Sequence, residues 1–189
     1  MVLSAAKFFF SVCFLVIFCS CKFLPEPGNE RTHYYDLGIP ERAQLSAGTR
    51  VTVLPFTVLS GERFRMVERK QFLLENDDCN KWQMPPGSLV TKYLTLYFRQ
   101  NLSAPGKATR HVIVGGTVTA FENDGKNAIL GLVYRITFPE IKGTKSTPVS
   151  RNILIEEKLL NDSPASFACA MSKAMGKAAQ YIVKDIENK

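Results

Sequence analysis

The sequence predicts an α/β domain: a mixed, mostly antiparallel sheet of five or six strands carrying two main helices. Three observations predict it. Leu130, Leu132, Tyr134, Ile136 and Phe138 recur at every second position, as in a strand with one buried face. The stretches after Ser88 and after Ser163 instead repeat apolar residues at three- and four-residue spacing, as helices do. Between these patterns lie Gly, Pro, Asn and Asp clusters that punctuate the chain into short elements.

Residues 1–20 precede the domain. Lys7 is their one charge, and residues 8–18 are uncharged and apolar apart from Ser11. A short basic start, an apolar run of this length and small residues at its end describe a secretory signal peptide. A membrane-crossing helix needs about 20 apolar residues; this run is shorter, and Pro25 and Pro27 discourage its continuation. Phe18-Cys19-Ser20-Cys21 resembles a bacterial lipobox, in which a small residue precedes a cysteine whose thiol receives diacylglycerol. Cys21 is therefore the expected lipidation site; Cys19 follows a bulky phenylalanine and fits badly. Each buried methylene of an acyl chain contributes about 0.8 kcal/mol, so two or three chains anchor stably where one does not. Residues 21–31 then read as anchor and solvated linker, and residues 32–189 as one domain. Lys22 follows the cysteine where aspartate would mark inner-membrane retention in enteric bacteria, so the expected location is the envelope, facing the periplasm, with a lean to the outer membrane.

Within the domain, residues 32–37 read as a first strand, and residues 51–55 as a second, largely buried one. Residues 63–69 alternate basic and apolar side chains, which suits a strand with one wet face. Residues 75–80, Glu-Asn-Asp-Asp-Cys-Asn, read as a turn-rich connection leading to Trp82 and to Pro85-Pro86-Gly87. Ser88 can cap the first helix, whose stripe is Val90, Tyr93, Leu94, Tyr97 and Phe98. Residues 111–121 alternate as a strand, with Gly115-Gly116 marking a bulge or a close backbone approach. Asp124-Gly125 is a strong hairpin signal before the return strand. A turn over 142–148 leads to a third strand from Val149 to about Leu160, completing an antiparallel meander. The last helix is capped by Asp162 or Ser163, with Pro164 just inside and a buried face of Phe167, Met171, Ala174, Ala178, Tyr181 and Ile182.

The formal charge is +7, and +6 once residues 1–20 and Lys7 are removed. An exported, tethered protein meets anionic headgroups and acidic partner surfaces rather than nucleic acid, and with no long run of like charge the balance reads first as a generally basic solvated surface. Cys79 and Cys169 could form one bridge, which in the chain-entropy model would stabilise by about 4–5 kcal/mol; spacing alone does not bring their Cα atoms within range. No Cys-x-x-Cys or His-x-x-x-His spacing occurs, so no metal or cofactor is expected. There is no Gly-x-Ser-x-Gly elbow, and Gly176-Lys177 lacks the leading glycine of a phosphate loop, so no catalytic residue is assigned. Arg65 and Arg69 share one face of their strand. With Trp82 they form either a partner surface or a locally salt-bridged face beside a core tryptophan.

The ordered series of lipobox, Tyr34-Tyr35-x-Leu37, Val51-Thr-Val-Leu-Pro55, Met66-Val67-x-Arg69, Asn80-Lys-Trp82, Pro85, a helix over 89–102, the strand ending Phe121-Glu122-Asn123-Asp124 and a strand from Ala128 is similar to the ABC-type transport auxiliary lipoproteins. That resemblance implies a sandwich related to the N-terminal domain of TolB. It also implies a non-catalytic accessory role beside an ABC permease and ATPase and a periplasmic mammalian-cell-entry (MCE) protein, in systems that move phospholipids or other hydrophobic compounds. Membrane lipid is engaged through the anchor, and self-association is left open. The alternative is an envelope structural or assembly lipoprotein without a transporter.

Overall fold

Fourteen consecutive residues, Arg110–Asn123, form the longest strand, and the sheet is organised around it. Its β-branched alternation buries Val112, Val114 and Val118 on one face, as the pleat requires. The computed structural model describes residues 31–59, 64–99, 110–139 and 147–189, of which Thr32–Lys189 is one compact unit. The lipobox with Cys21, the linker before residue 31, the end of the predicted helix over 100–102 and most of the 142–148 turn lie outside the described residues.

The elements are β1 (His33–Tyr35), β2 (Thr49–Val53), β3 (Thr57–Val58), β4 (Arg65–Lys70), β5 (Leu73–Trp82), α1 (Pro86–Arg99), β6 (Arg110–Asn123), β7 (Asn127–Thr137), β8 (Val149–Lys158) and α2 (Pro164–Glu187). They make one mixed sheet in the order β1-β5-β4-β6-β7-β8. The short strands β2, β3 and β4 run parallel to β6 and meet its outer edge one after another, at Thr49↔Arg110, Thr57↔Thr117 and Glu68↔Asn123. Among the described residues the sheet therefore has eight strands where the sequence suggests five or six; the additions are the two-residue β3 and the strand β5.

The meander β6-β7-β8 is antiparallel as its alternation predicts. Gly125, at φ +82°, supplies the left-handed residue of the β6-β7 turn. Asp124 Oδ1 accepts hydrogen bonds from the Lys126 and Asn127 amides at 2.8 and 2.6 Å. Of the two readings of Gly115-Gly116, close approach is the one realised at Gly116, while the β6 register shift lies further on, between Val118 and Ala120. The strand β2 alternates between half-buried and exposed rather than lying deep, because it contributes only one face to the core.

Three local expectations need correction. Residues 75–80 belong to β5, and the turn chemistry read there sits inside the strand as a bulge. From Val67 to Arg65 the β5 partner jumps from Asn76 to Lys81, and the Asp77 carboxylate accepts from the Cys79 and Asn80 amides at 2.9 and 2.8 Å. The helix α1 starts at Pro86, so Ser88 is an exposed first-turn residue and not the cap. Tyr181 points outward from α2, whereas Phe167, Met171, Ala174, Ala178 and Ile182 are buried as expected. Ser163 is the N-cap, its hydroxyl accepting from the Ser166 amide, with Pro164 in the first turn.

Both helices pack on the sheet face that carries Val112, Val114, Leu130, Leu132, Tyr134 and Ile136, and one core fills the space between. A partly buried polar contact ties the layers: Tyr134 donates its hydroxyl to Asp185 Oδ2 at 2.8 Å, and the exposed Arg151 donates Nε to the same oxygen at 3.2 Å. Burial, reinforced by Asp185, pushes the Tyr134 phenol far above its ordinary value. A phenol raised in the folded state contributes stability that is complete below its unfolded value of about 10 and is lost as pH rises beyond it. Tyr134→Phe is expected to cost about 1.5–3 kcal/mol at pH 7, the range for a hydrogen bond to a charged group. It should also flatten the alkaline loss of stability, both read from denaturant midpoints at neutral and alkaline pH.

Candidate functional site

Chain entry into the sheet creates a groove. After β1, Asp36 salt-bridges Lys92 of α1, and the Gly38 amide donates to Ser172 Oγ of α2 at 2.9 Å. The segment 38–44 is thereby held alongside the two helices. Further on, Ser46 binds Glu187 through both its amide and its hydroxyl, which closes the far end. Together they enclose an open groove of about 750 Å³.

Its walls are chemically uneven. Arg42, Lys173, Lys177 and Lys184 line it against a single carboxylate, Glu41, and Tyr93 and Tyr97 form part of the lining from α1. Burial pushes both phenols up, with Glu41 adding to the effect on each and Tyr97 on Tyr93, so they remain neutral hydrogen-bonding groups. Gly176 gives α2 a smooth wall where a Cβ would come 3.5 Å from the Tyr93 hydroxyl. Lys177 is salt-bridged to Glu157 of β8, which leaves Arg42, Lys173 and Lys184 as the principal positive charge. Such a surface can hold an anionic headgroup or an acidic protein segment; it offers aromatic and aliphatic contact through Tyr93, Tyr97, Ile39 and Val183. The groove is not visible in the sequence as a motif, because its cations come from a loop and from every third or fourth position of a helix that otherwise reads as a solvated face.

The residues singled out from sequence fall elsewhere. Trp82 is fully buried, edge-on to Phe121 and Phe167 at centroid distances of 5.0 and 5.3 Å. It cannot meet a partner. Arg69 makes a bidentate ion pair with Glu122 of β6, its Nη2 donating to Oε2 at 3.0 Å, and Arg65 pairs with Asp78 at 2.8 Å. Trp82 thus belongs to the core, while Arg65 and Arg69 are each paired with a local carboxylate, Arg69 at the opposite end of β5 from the tryptophan. Cys79 stands on β5, half-buried, and Cys169 on α2, exposed at the groove; no disulfide joins them. His33 belongs to β1, and His111 Nε2 lies 2.9 Å from Thr52 Oγ1. Among the described residues no three His, Cys, Asp or Glu side chains converge as metal ligands, and no helix is long and apolar enough to cross a membrane.

No family model and no curated protein matches the sequence. Solved structures do match the fold. A protein described as uncharacterized is 15% identical, covering 83% of this chain and 99% of its own, with a TM-score of 0.65. The protein XCC0632 from Xanthomonas campestris, assigned to DUF330, is 13% identical, covering 80% of this chain and 92% of its own, with a TM-score of 0.63. At these identities the likeness is one of architecture, and it runs through nearly the whole described domain.

Proposed function

We propose that this chain is a lipid-anchored lipoprotein of the cell envelope that serves an ABC transporter as a non-catalytic accessory, docking its MCE-type periplasmic component against the membrane. The observation that carries the reading is where the ordered sequence series falls. Tyr35 pairs with Trp82, Val51 pairs with Val112, Met66 is buried in the same core, and Phe121 packs edge-on to Trp82. The resemblance to the ABC auxiliary lipoproteins therefore runs through one continuous framework, not an isolated patch. Cys21 supplies the tether upstream of it, and the likeness in architecture to a DUF330 protein of a bacterium accords with that setting.

In this reading the groove beside α2 is the docking face. Its cations and neutral phenols suit an acidic partner surface, and long-range attraction raises the encounter rate before contact is made. The transported compounds are phospholipids or other hydrophobic molecules, and the anchor holds the domain at the periplasmic face of the envelope, by the Lys22 argument the outer membrane. The test is affinity capture of the tagged chain from its own membranes, with a Cys21→Ser version in parallel. Capture of an MCE-domain protein and an ABC permease, reduced several-fold without the tether, is the expected result. Capture of general envelope proteins alone, after crosslinking as well, would assign the chain to envelope structure or assembly.

A further inference from the structure

The last strand, β8, has a neighbour on one side only among the described residues: it pairs with β7 along ten positions, and its other edge presents unpaired backbone groups. Large apolar side chains are exposed on both faces of that edge, Leu154 on the face away from α2 and Tyr181 on α2 itself. Leu154 on β8 is 64% exposed, Tyr181 on α2 is 51% exposed, and Leu160 just beyond β8 is 78% exposed.

The charges there are ordered. Arg151 reaches Asp185 of α2, and Glu157 reaches Lys177 of α2, so helix and strand run antiparallel with two salt bridges between them. Lys177, Tyr181 and Asp185 are spaced four residues apart and lie on one stripe of the helix. Leu154 is midway between Arg151 and Glu157, and Tyr181 is midway between Lys177 and Asp185. The edge is therefore palindromic in charge: positive to negative along the strand, with the opposite order on the helix beside it.

From this arrangement we propose that a second copy of this chain docks on β8, strand to antiparallel strand, about a twofold axis through Leu154 and Tyr181. In that register Arg151 faces Glu157 of the other copy, Ile153 faces Ile155, Asn152 faces Glu156, and Leu154 meets its own counterpart. On the helix layer Lys177 comes opposite the other copy's Asp185. The two existing salt bridges then join into alternating chains, Asp185–Arg151–Glu157–Lys177, that cross the interface twice. The register is selective. An antiparallel self-pairing keeps outward-facing backbone groups opposite one another only if it slides by whole two-residue steps. One step toward the start of β8 sets Arg151 against Ile155 and Ser150 against Glu156. One step toward its end sets Leu154 against Glu156 and Ile153 against Glu157. Only the centred register pairs opposite charges and apolar side chains together. The result is a sheet continuous through both copies, with an isologous interface that closes on itself.

The test uses the full chain in its own membranes, in a Cys79→Ser/Cys169→Ser background, under mild copper-phenanthroline oxidation. Leu154→Cys should form a disulfide dimer, because directly opposed Cβ atoms lie about 4.5–5.5 Å apart. Asn152→Cys alone and Glu156→Cys alone should not, since each sits four residues out of step with itself, roughly 13 Å away. Coexpressed Asn152→Cys and Glu156→Cys chains should crosslink to each other at a yield several-fold above either alone. All three positions are exposed, so the fold is not at stake. Equal crosslinking at 152 and 154, no dimer at 154, or no gain on mixing 152 with 156 would each overturn the proposal.

Discussion

Trp82→Ala is expected to cost about 3–5 kcal/mol, the range for deleting a large buried aromatic and leaving a cavity. The indole is fully buried where three parts of the chain meet: the end of β5, Phe121 of β6 and Phe167 of α2. Neither ring can collapse far into the space, because Phe121 is fixed in the central strand and Phe167 in the first turn of α2. Each kcal/mol moves the melting temperature of a domain this size by roughly 2–4 °C, so thermal denaturation should show a fall of about 6–20 °C. Trp82→Phe should cost much less. The indole N–H is buried with no hydrogen-bond partner among the described residues, so phenylalanine gives up shape but no polar contact. A Phe variant as unstable as the Ala variant would show that the nitrogen matters and that this account of Trp82 is wrong.

The second large effect is expected at Gly116. A Cβ there would stand 2.2 Å from the Val133 carbonyl oxygen, 2.9 Å from Tyr134 Cα and 2.9 Å from the Phe56 ring. Two of the three obstacles are backbone of the adjacent strand and cannot swing aside. Phe56 is itself held: its amide donates to Thr91 Oγ1 at 2.8 Å, and its carbonyl lies where a Cβ on Gly87 would fall, at 2.4 Å. The two glycines let α1, the β2–β3 link and β6 approach through a single phenylalanine. Gly116→Ala should cost at least the roughly 1–3 kcal/mol typical of overpacking, in spite of alanine's better intrinsic strand entropy. The neighbouring Gly115→Ala meets only the Leu54 side chain, at 3.2 Å, and should cost less than half as much. Denaturant midpoints of the two variants side by side decide the matter; equal midpoints would show that the backbone gives way.

The elements that were legible in the sequence share a physical trait: each has one dry face and one wet one. The strand β7 announces itself because Leu130, Leu132, Tyr134 and Ile136 face helices while Val133 and Arg135 face solvent. The helix α2 does so because its small residues Ala174 and Ala178 repeat at four-residue spacing against the sheet. By contrast, β5 is covered by β1 over only its last three residues, His33–Tyr35 against Asn80–Trp82, and is otherwise wet on both faces. Nothing in such a strand selects a period, and Asp77 adds true turn hydrogen bonds in its middle. The two-residue β3 has no pattern to read; it exists because β6 offers a free edge at Thr117. The groove was invisible for a related reason. Its cations lie outward on a helix and on a loop, and only tertiary packing brings Arg42 to Lys173. Of the residues singled out, Arg65 stands opposite Lys81, next to Trp82, whereas Arg69 stands opposite Leu74 at the other end of β5, a separation that strand alternation alone does not disclose.

The strand β6 also governs the order in which the protein can assemble. Residues 49–53, 57–58 and 68 all wait for partners that are made some fifty to sixty positions later, between Arg110 and Asn123. Hairpins such as β6-β7 close through a short loop, whereas these parallel pairings must first overcome the entropy of a long one. A chain emerging from its amino end therefore holds its first half without a completed sheet until Asn123 has appeared. About two-thirds of the 189 residues must thus be made before the sheet can close, and until then only the local β4-β5 hairpin and α1 are available to the first half.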